Sequence, residues 1–196
     1  HKAREIISTG LDSIYKYTYG PANSSKPNIK TSSGVWVISK TPLRELGQIE
    51  FSTKVGIDKW ARKGALMLEG EFNGNPFQVL GTHLQSENHQ DVREKQMDQI
   101  YIELISKYKN DGVPQIICGD MNNSAFSYVY RNIKGKLRDS FEEAGKGFGA
   151  TYKFKYYPAR IDYIFADEKM KVKRFESFSN FENSDHFPIM AKLSFE

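Results

Sequence analysis

Gln115-Ile116-Ile117-Cys118-Gly119-Asp120-Met121-Asn122 reads as a buried strand, Gln115 to Cys118, that ends in polar groups. Upstream lies the clearest helical pattern in the chain, about Asp91 to Tyr108. There Met97, Ile100, Tyr101, Leu104, Ile105 and Tyr108 fall at i, i+3, i+4, i+7, i+8 and i+11. Asp111-Gly112 closes that helix, and a short helix is expected from Ser124 to Ile133. A helix, a buried strand and another helix in succession favour an α/β arrangement with polar residues gathered where strands end.

The rest of the chain extends this pattern. Val35 to Ile38, Gln48 to Phe51, Ala65 to Phe72, Pro76 to Thr82, Ala150 to Phe154, Ile161 to Phe165, Val172 to Phe178 and Phe187 to Phe195 read as strands. Asn73-Gly74 between two apolar runs is a hairpin signal. His1 to about Tyr15 reads as a helix, and Gly20 to Ser33 as a loop rich in Pro, Asn and Ser. Strands dominate, with helices inserted between them. The expected fold is an α/β sandwich of sheets covered by helices, over one domain, residues 1–196.

Four polar clusters interrupt the strand-like runs: Gly81-Thr82-His83, Gly119-Asp120-Met121-Asn122, Arg160-Ile161-Asp162-Tyr163-Ile164-Phe165 and Asn183-Ser184-Asp185-His186. Titratable groups at the ends of buried strands have either found partners or carry chemistry. Asp120 and Asn122, two apart in an extended segment, would point to one side, where a carboxylate can orient a water and an amide can donate to an oxyanion. An Asp/Asn turn opening the next helix is the bland alternative. Asp185-His186 offers a hard-cation ligand beside a group that titrates near neutral pH, or simply a charged turn before the last strand. Asp162, flanked by apolar residues, needs a partner. A histidine whose tautomer it would fix suits it, and Arg160 is the rival. His83 alone would more often be a capping residue. Taken together, the set suits hydrolysis of a phosphate ester.

Bulk properties narrow the field. At 39% apolar and 27% charged, the chain reads as globular. A net charge of +4 helps an anionic substrate approach without marking a nucleic-acid binder. The single Cys118 excludes an internal disulfide and, within its apolar run, reads as an inert thiol. Zinc-type spacing, a phosphate-cradling P-loop, a dinucleotide fingerprint and a Gly-x-Ser-x-Gly elbow are all absent.

In their order, the four clusters resemble the motifs of the endonuclease/exonuclease/phosphatase superfamily. Gly34 to Pro42, Arg62-Lys63-Gly64-Ala65 and Gly81 to Glu87 further resemble neutral or bacterial sphingomyelinases. The resemblance implies a four-layer α/β sandwich, two packed mixed sheets flanked by helices, with Mg²⁺ or Mn²⁺ in a cleft at one end, and hydrolysis of a phosphodiester such as a phospholipid head group. It implies that Asp120 activates the attacking water, and that Asn122 steadies the pentacovalent phosphate. His186 acts as acid/base under Asp162, His83 is a second histidine at the phosphate, and Asp185 joins the metal site.

Two departures from that pattern shape the expectations. Nothing before Gly34 resembles the family's opening Asn and Glu strands, so the domain is expected to lack its first two strands and to bind metal weakly as it stands. The chain begins at His1 rather than Met, and targeting information is expected to have been removed, with a secreted or periplasmic location. Only 22 residues separate Asp162 from Asp185, too few for the long aromatic hairpin with which some bacterial sphingomyelinases enter membranes. Transient contact with a membrane surface and a monomeric state remain the expectation. A nuclease is the alternative enzyme, suggested by the cations and aromatics of Lys153 to Tyr157. A binding domain that kept the fold and lost the metal is the non-catalytic alternative.

Overall fold

The computed structural model describes residues 10–11, 13–20, 34–86, 88–153, 158–180 and 182–196. Strands β3 (Arg44–Glu50), β4 (Gly64–Phe72), β5 (Asn75–His83), β6 (Gln115–Asp120), β7 (Arg138–Asp139) and β8 (Asp162–Ala166) form one sheet in the order β3-β4-β5-β6-β8-β7. The pair β5–β6 is parallel and the others are antiparallel, so this sheet is mixed. Among the described residues, two antiparallel two-stranded sheets accompany it. One joins β1 (Tyr17–Tyr19) to β2 (Val37–Ser39), and the other joins β9 (Met170–Ser177) to β10 (Ile189–Phe195).

Strand alternation sends the large sheet's side chains to two cores. Met67, Leu80, Ile117 and Phe165 face the helical layer. There they meet Met97 and Ile100 of α1 (Gln90–Ile100), Leu104 of the turn that follows, and Val129, Tyr130 and Ile133 of α2 (Tyr128–Lys134). Ile116, Phe77 and Ala166 face the other way, onto Met170, Val172, Leu193 and Phe195 of the β9–β10 pair and Ala144 of α3 (Ser140–Ala144). The result is the expected α/β sandwich. The helix expected at the N-terminus falls mostly on residues 1–9 and 12, outside the described residues.

Local chemistry accounts for the element boundaries. Asn73 and Gly74, at φ 52° and 79°, form the two-residue turn between β4 and β5. Ser127 caps α2 by accepting from the Tyr130 N–H at 3.1 Å, and Asp139 caps α3 by accepting from Phe141 at 2.9 Å. The helix expected to run evenly to Tyr108 instead passes at Tyr101–Ile105 into a wider π-type turn. Tyr101, at the head of that turn, stands off the buried stripe. It lies exposed, with the Lys136 ammonium 3.9 Å above its ring. Three short elements carried too little periodicity to be read in sequence: β1, β7 and α3.

Candidate active site

The register of three neighbouring strands builds the site. His83 at the end of β5 pairs with Asp120 at the end of β6, and Asp120 pairs with Asp162 at the start of β8. Three titratable residues thus form one row across one end of the sheet. Gly119 makes the close β5–β6 approach feasible. Its φ is +137°, and a Cβ there would overlap the Thr82 carbonyl oxygen.

His186 arrives from the connection between β9 and β10, guided by a short intervening segment. Phe187 N–H donates to Thr151 O at 2.7 Å, and Lys153 N–H donates to Asp185 O at 2.8 Å. On its other side the segment bonds Ala159, while Thr151 Oγ1 accepts from the N–H groups of both Ile161 and Asp162 at 3.0 Å. Residues 151–153 therefore act as a spacer that aligns 185–187 with the start of β8. The Tyr152 and His186 rings lie 4.8 Å apart.

His186 Nδ1 is 2.8 Å from Asp162 Oδ2. Arg160, the rival partner in sequence, is committed elsewhere. It pairs with Asp139 and lies over the rings of Tyr130, Phe141 and Tyr163. Asp120 Oδ2 is the point of convergence. His83 Nε2 is 3.3 Å away, Asn122 Nδ2 3.1 Å and His186 Nε2 3.9 Å.

Asn122 reaches Asp120 by a different route from the one its spacing suggested. It lies beyond β6 with φ 47°, a conformation that Asn tolerates. Its N–H donates to Asp120 Oδ1 at 2.8 Å, closing an Asx-type turn. Its amide also donates to Leu84 O at 3.0 Å. So the turn geometry and the convergence with Asp120 coexist.

Five of the six expected residues, His83, Asp120, Asn122, Asp162 and His186, come together. The sixth, Asp185, is exposed beside His186, and its carboxylate is not among the convergent ligand atoms. One ligand atom each from Asp120, Asp162 and His186 lies within 4.8 Å of the others, a spacing a divalent cation can bridge. The two carboxylates suit Mg²⁺ or Mn²⁺, whereas His186, with Nδ1 held by Asp162, leaves the ligand role to them. The cation-aromatic stretch 154–157 lies outside the described residues.

The electrostatics separate the titratable groups. Burial pushes the Asp120 carboxyl up to about 6, and the neighbouring Asp162 carboxylate adds to this. The Asp162 hydrogen bond raises His186 above the ordinary imidazole value. Burial lowers His83 to about 4, with the Lys63 charge acting in the same direction. At neutral pH, His83 is the neutral imidazole and His186 the one biased to carry charge.

Lys63, which the sequence offers only within the Arg62-Lys63-Gly64-Ala65 stretch, also borders the site. Its ammonium is 3.0 Å from Asp58 Oδ2 and donates to Leu84 O at 2.8 Å, so Lys63 and Asn122 share one carbonyl. Asp58 in turn accepts from the N–H and O–H of Ser86 at 2.7 and 2.8 Å. The signal was present: Lys63 immediately precedes the buried run Gly64-Ala65-Leu66-Met67, the same pattern that marked Asp120. Cys118 is a bystander, its thiol pushed up to about 11 by burial.

The sequence model of the endonuclease/exonuclease/phosphatase family matches residues 3–186. Sphingomyelinase C of Leptospira interrogans is 25% identical over 95% of this chain and 42% of its own length. Phospholipase C of Staphylococcus aureus is 27% identical over 76% of this chain and 50% of its own length. The chain thus spans half or less of these two relatives. In solved structures, beta toxin from Staphylococcus aureus superposes with a TM-score of 0.73 at 22% identity, covering 98% of this chain and 82% of that one. A beta toxin variant with bound magnesium ions gives 0.72 at 20% identity, covering 97% and 82%. SmcL gives 0.71 at 21% identity, covering 96% and 80%. At such identities the structural likeness is one of fold.

Proposed function

Because the chain belongs to the endonuclease/exonuclease/phosphatase family, we propose that it hydrolyses a phosphodiester with the help of a divalent cation, and that its substrate is a phospholipid head group of the sphingomyelin kind. The observation that carries this reading is the Asp162–His186–Asp120 chain of contacts, at 2.8 and 3.9 Å. Asp162 fixes the Nδ1 edge of His186, so the Nε2 edge faces the position a phosphate would take beside Asp120.

The residues divide the work as follows. Asp120 orients a water and draws off its proton. His186, biased to be charged by Asp162, delivers a proton through Nε2 to the leaving oxygen. His83, neutral at physiological pH, donates from Nε2 without adding positive charge. Asn122 already spends its amide hydrogens on Asp120 and Leu84, so it turns to a phosphoryl oxygen only as Asp120 engages the water. Asp120 and Asp162 supply the carboxylate charge for a cation, with Asp185 near the rim. When bound, Mg²⁺ or Mn²⁺ offsets charge developing on the phosphoryl oxygens. The choice of a sphingomyelin-type head group draws on the relatives named sphingomyelinase C, at 23–26% identity, and on nothing in the cleft itself.

The test is turnover of sphingomyelin in mixed micelles and of bis(p-nitrophenyl) phosphate, with Mg²⁺, with Mn²⁺ and with chelator. His186→Ala serves as the control. Metal-dependent release of phosphocholine that His186→Ala lowers by roughly 10²–10⁴-fold is expected. Turnover that ignores the chelator, or that survives His186→Ala within a few-fold, ends this reading.

A further inference from the structure

Asn122 has two incompatible tasks. In the resting site its side chain helps to hold its own turn, with Nδ2 donating to Asp120 Oδ2 and to Leu84 O. In the proposed reaction the same amide leaves those partners for a phosphoryl oxygen. Its backbone, at φ 47°, is in a region that a residue other than glycine occupies only when its surroundings impose it. Something other than the Asn122 side chain must therefore keep the turn in place during turnover.

The next residue does this from behind. Asn123 is 4% exposed, and both ends of its amide are engaged. Nδ2 donates to Met121 O at 3.0 Å, which closes a ring of contacts around Asn122, and Oδ1 accepts from Arg93 Nε at 3.1 Å. The Asn123 carbonyl lies 2.8 Å from the Tyr163 hydroxyl, whose single proton goes either there or to Arg160 O, also at 2.8 Å. Met121 is pinned in turn. Its N–H donates to Ile161 O at 2.9 Å, and its side chain is part of the core under the helical layer. None of these contacts uses a group that the reaction needs.

Arg93, on α1 and 5% exposed, braces the other flank as well. Its Nη1 donates to Gln85 O at 3.3 Å, one residue beyond the Leu84 carbonyl to which Asn122 is tied. Gln85 is itself fixed by Gln96, also on α1, whose Oε1 accepts from the Gln85 N–H at 2.8 Å. One helix face thus locates Asn122 from both sides. A guanidinium is costly to bury, and a position that served packing alone would be better filled by an apolar side chain.

We propose that Asn123, held by Arg93, is a positioning residue for the reaction: it keeps the 121–123 turn left-handed while the Asn122 amide moves from Asp120 and Leu84 to the substrate. The position calls for an amide. Aspartate would keep the acceptor for Arg93 and lose the donor to Met121, and alanine would lose both. The assignment rests on the phosphodiester reading of the cleft, in which Asn122 steadies a phosphoryl oxygen.

The test is a double-mutant cycle on hydrolysis of bis(p-nitrophenyl) phosphate, with wild type, Asn122→Ala, Asn123→Ala and Asn122→Ala/Asn123→Ala. Asn123→Ala should lower kcat by about 10–10²-fold with KM within about twofold, the mark of a misplaced group rather than a lost binding contact. In the Asn122→Ala background the same change should lower kcat by less than about twofold, because the group it positions is gone. Losses that multiply in the double variant would make Asn123 a purely structural residue and overturn the proposal, as would a raised KM at unchanged kcat. Asn123→Asp should fall between wild type and Asn123→Ala, and it takes the place of the alanine variant in the cycle if that variant does not fold. The backbone chemical shifts of Asn122 give a reading independent of turnover. They should mark a left-handed residue in the wild type and move toward extended values in Asn123→Ala and, less far, in Asn123→Asp. Shifts that stay in place overturn the proposal whatever the kinetics. A wild type that cleaves nothing, with shifts that do move, refutes only the proposed reaction.

Discussion

Asp162 Oδ2 meets His186 Nδ1 at 2.8 Å across 24 residues of chain. The contact depends on neither residue alone. Thr151 holds the backbone at Asp162 through its hydroxyl, and its carbonyl accepts from Phe187, the residue after the histidine. One buried threonine therefore sets both ends of the pair.

Histidine titration by NMR measures that pair without reference to turnover. His186 should titrate above the ordinary imidazole range because of Asp162, and His83 well below it because of burial and Lys63. In Asp162→Asn the His186 midpoint should fall back toward about 6.5 while His83 moves little. A His186 midpoint unchanged by Asp162→Asn means that the carboxylate does not hold the ring.

Asp120 gives the fold a pH signature of opposite sign to an ordinary salt-bridged carboxylate. Its folded value, about 6, is above the unfolded value of about 3.9, so the native state keeps the proton longer. Stability then falls as pH rises between about 4 and about 6. His83, depressed in the fold, works against this trend, losing stability as pH drops below about 6.5. Comparing melting temperatures of wild type and Asp120→Asn across this range isolates the carboxylate. The variant should gain on the wild type by on the order of 3 kcal/mol between about pH 4 and pH 7. A pH-independent difference between the two refutes the assignment.

A divalent cation should cancel that penalty. Mg²⁺ or Mn²⁺ at neutral pH is expected to raise the melting temperature of the wild type, and to do so much less for Asp120→Asn or Asp162→Asn. Equal shifts in all three proteins would locate the cation away from Asp120 and Asp162.

Asp139→Ala should destabilise the protein by about 3–5 kcal/mol in urea denaturation, because it leaves a buried guanidinium without its counter-charge. The Arg160 side chain is only 13% exposed, and Asp139 also accepts from the Tyr130 hydroxyl at 2.7 Å. A loss below about 1 kcal/mol would show that water reaches Arg160 and replaces the carboxylate.

Gly119→Ala should cost more than a surface substitution at the same strand end, by about 1–3 kcal/mol, since φ +137° and the Thr82 carbonyl leave no place for a Cβ. Because Asp120 follows directly, the two His83 and His186 midpoints should move as well. Unchanged stability would mean that β6 can shift away from β5 at no expense.

Much of this architecture was readable in the sequence because strand ends announce themselves. The apolar runs before His83, Asp120 and after Arg160 mark buried strands, and the first polar residue at each boundary marks the site. What resisted reading depends on contacts between distant residues. Asn122 looked like the outward partner of Asp120 in an extended strand, whereas a left-handed turn delivers it. Lys63 carried the same boundary signal, but its partners Asp58 and Leu84 come from two other loops. Tyr101 fits the helical stripe at i+4, yet it lies exposed with the Lys136 ammonium over its ring. Asp185 looked equal to His186 by adjacency, yet neighbouring residues in an extended chain point apart.

The His83–Asp120–Asp162 row has a consequence for how such a domain can change. Its spacing is set by interstrand pairing in the middle of a sheet, with neighbouring strands roughly 4.8 Å apart. The loops around it, 51–63, 121–127 and 145–149, contribute rim and access but not that spacing. The row and the access to it are therefore inherited by different parts of the chain. Insertions or substitutions in the loops can reshape that access while His83, Asp120 and Asp162 stay in register.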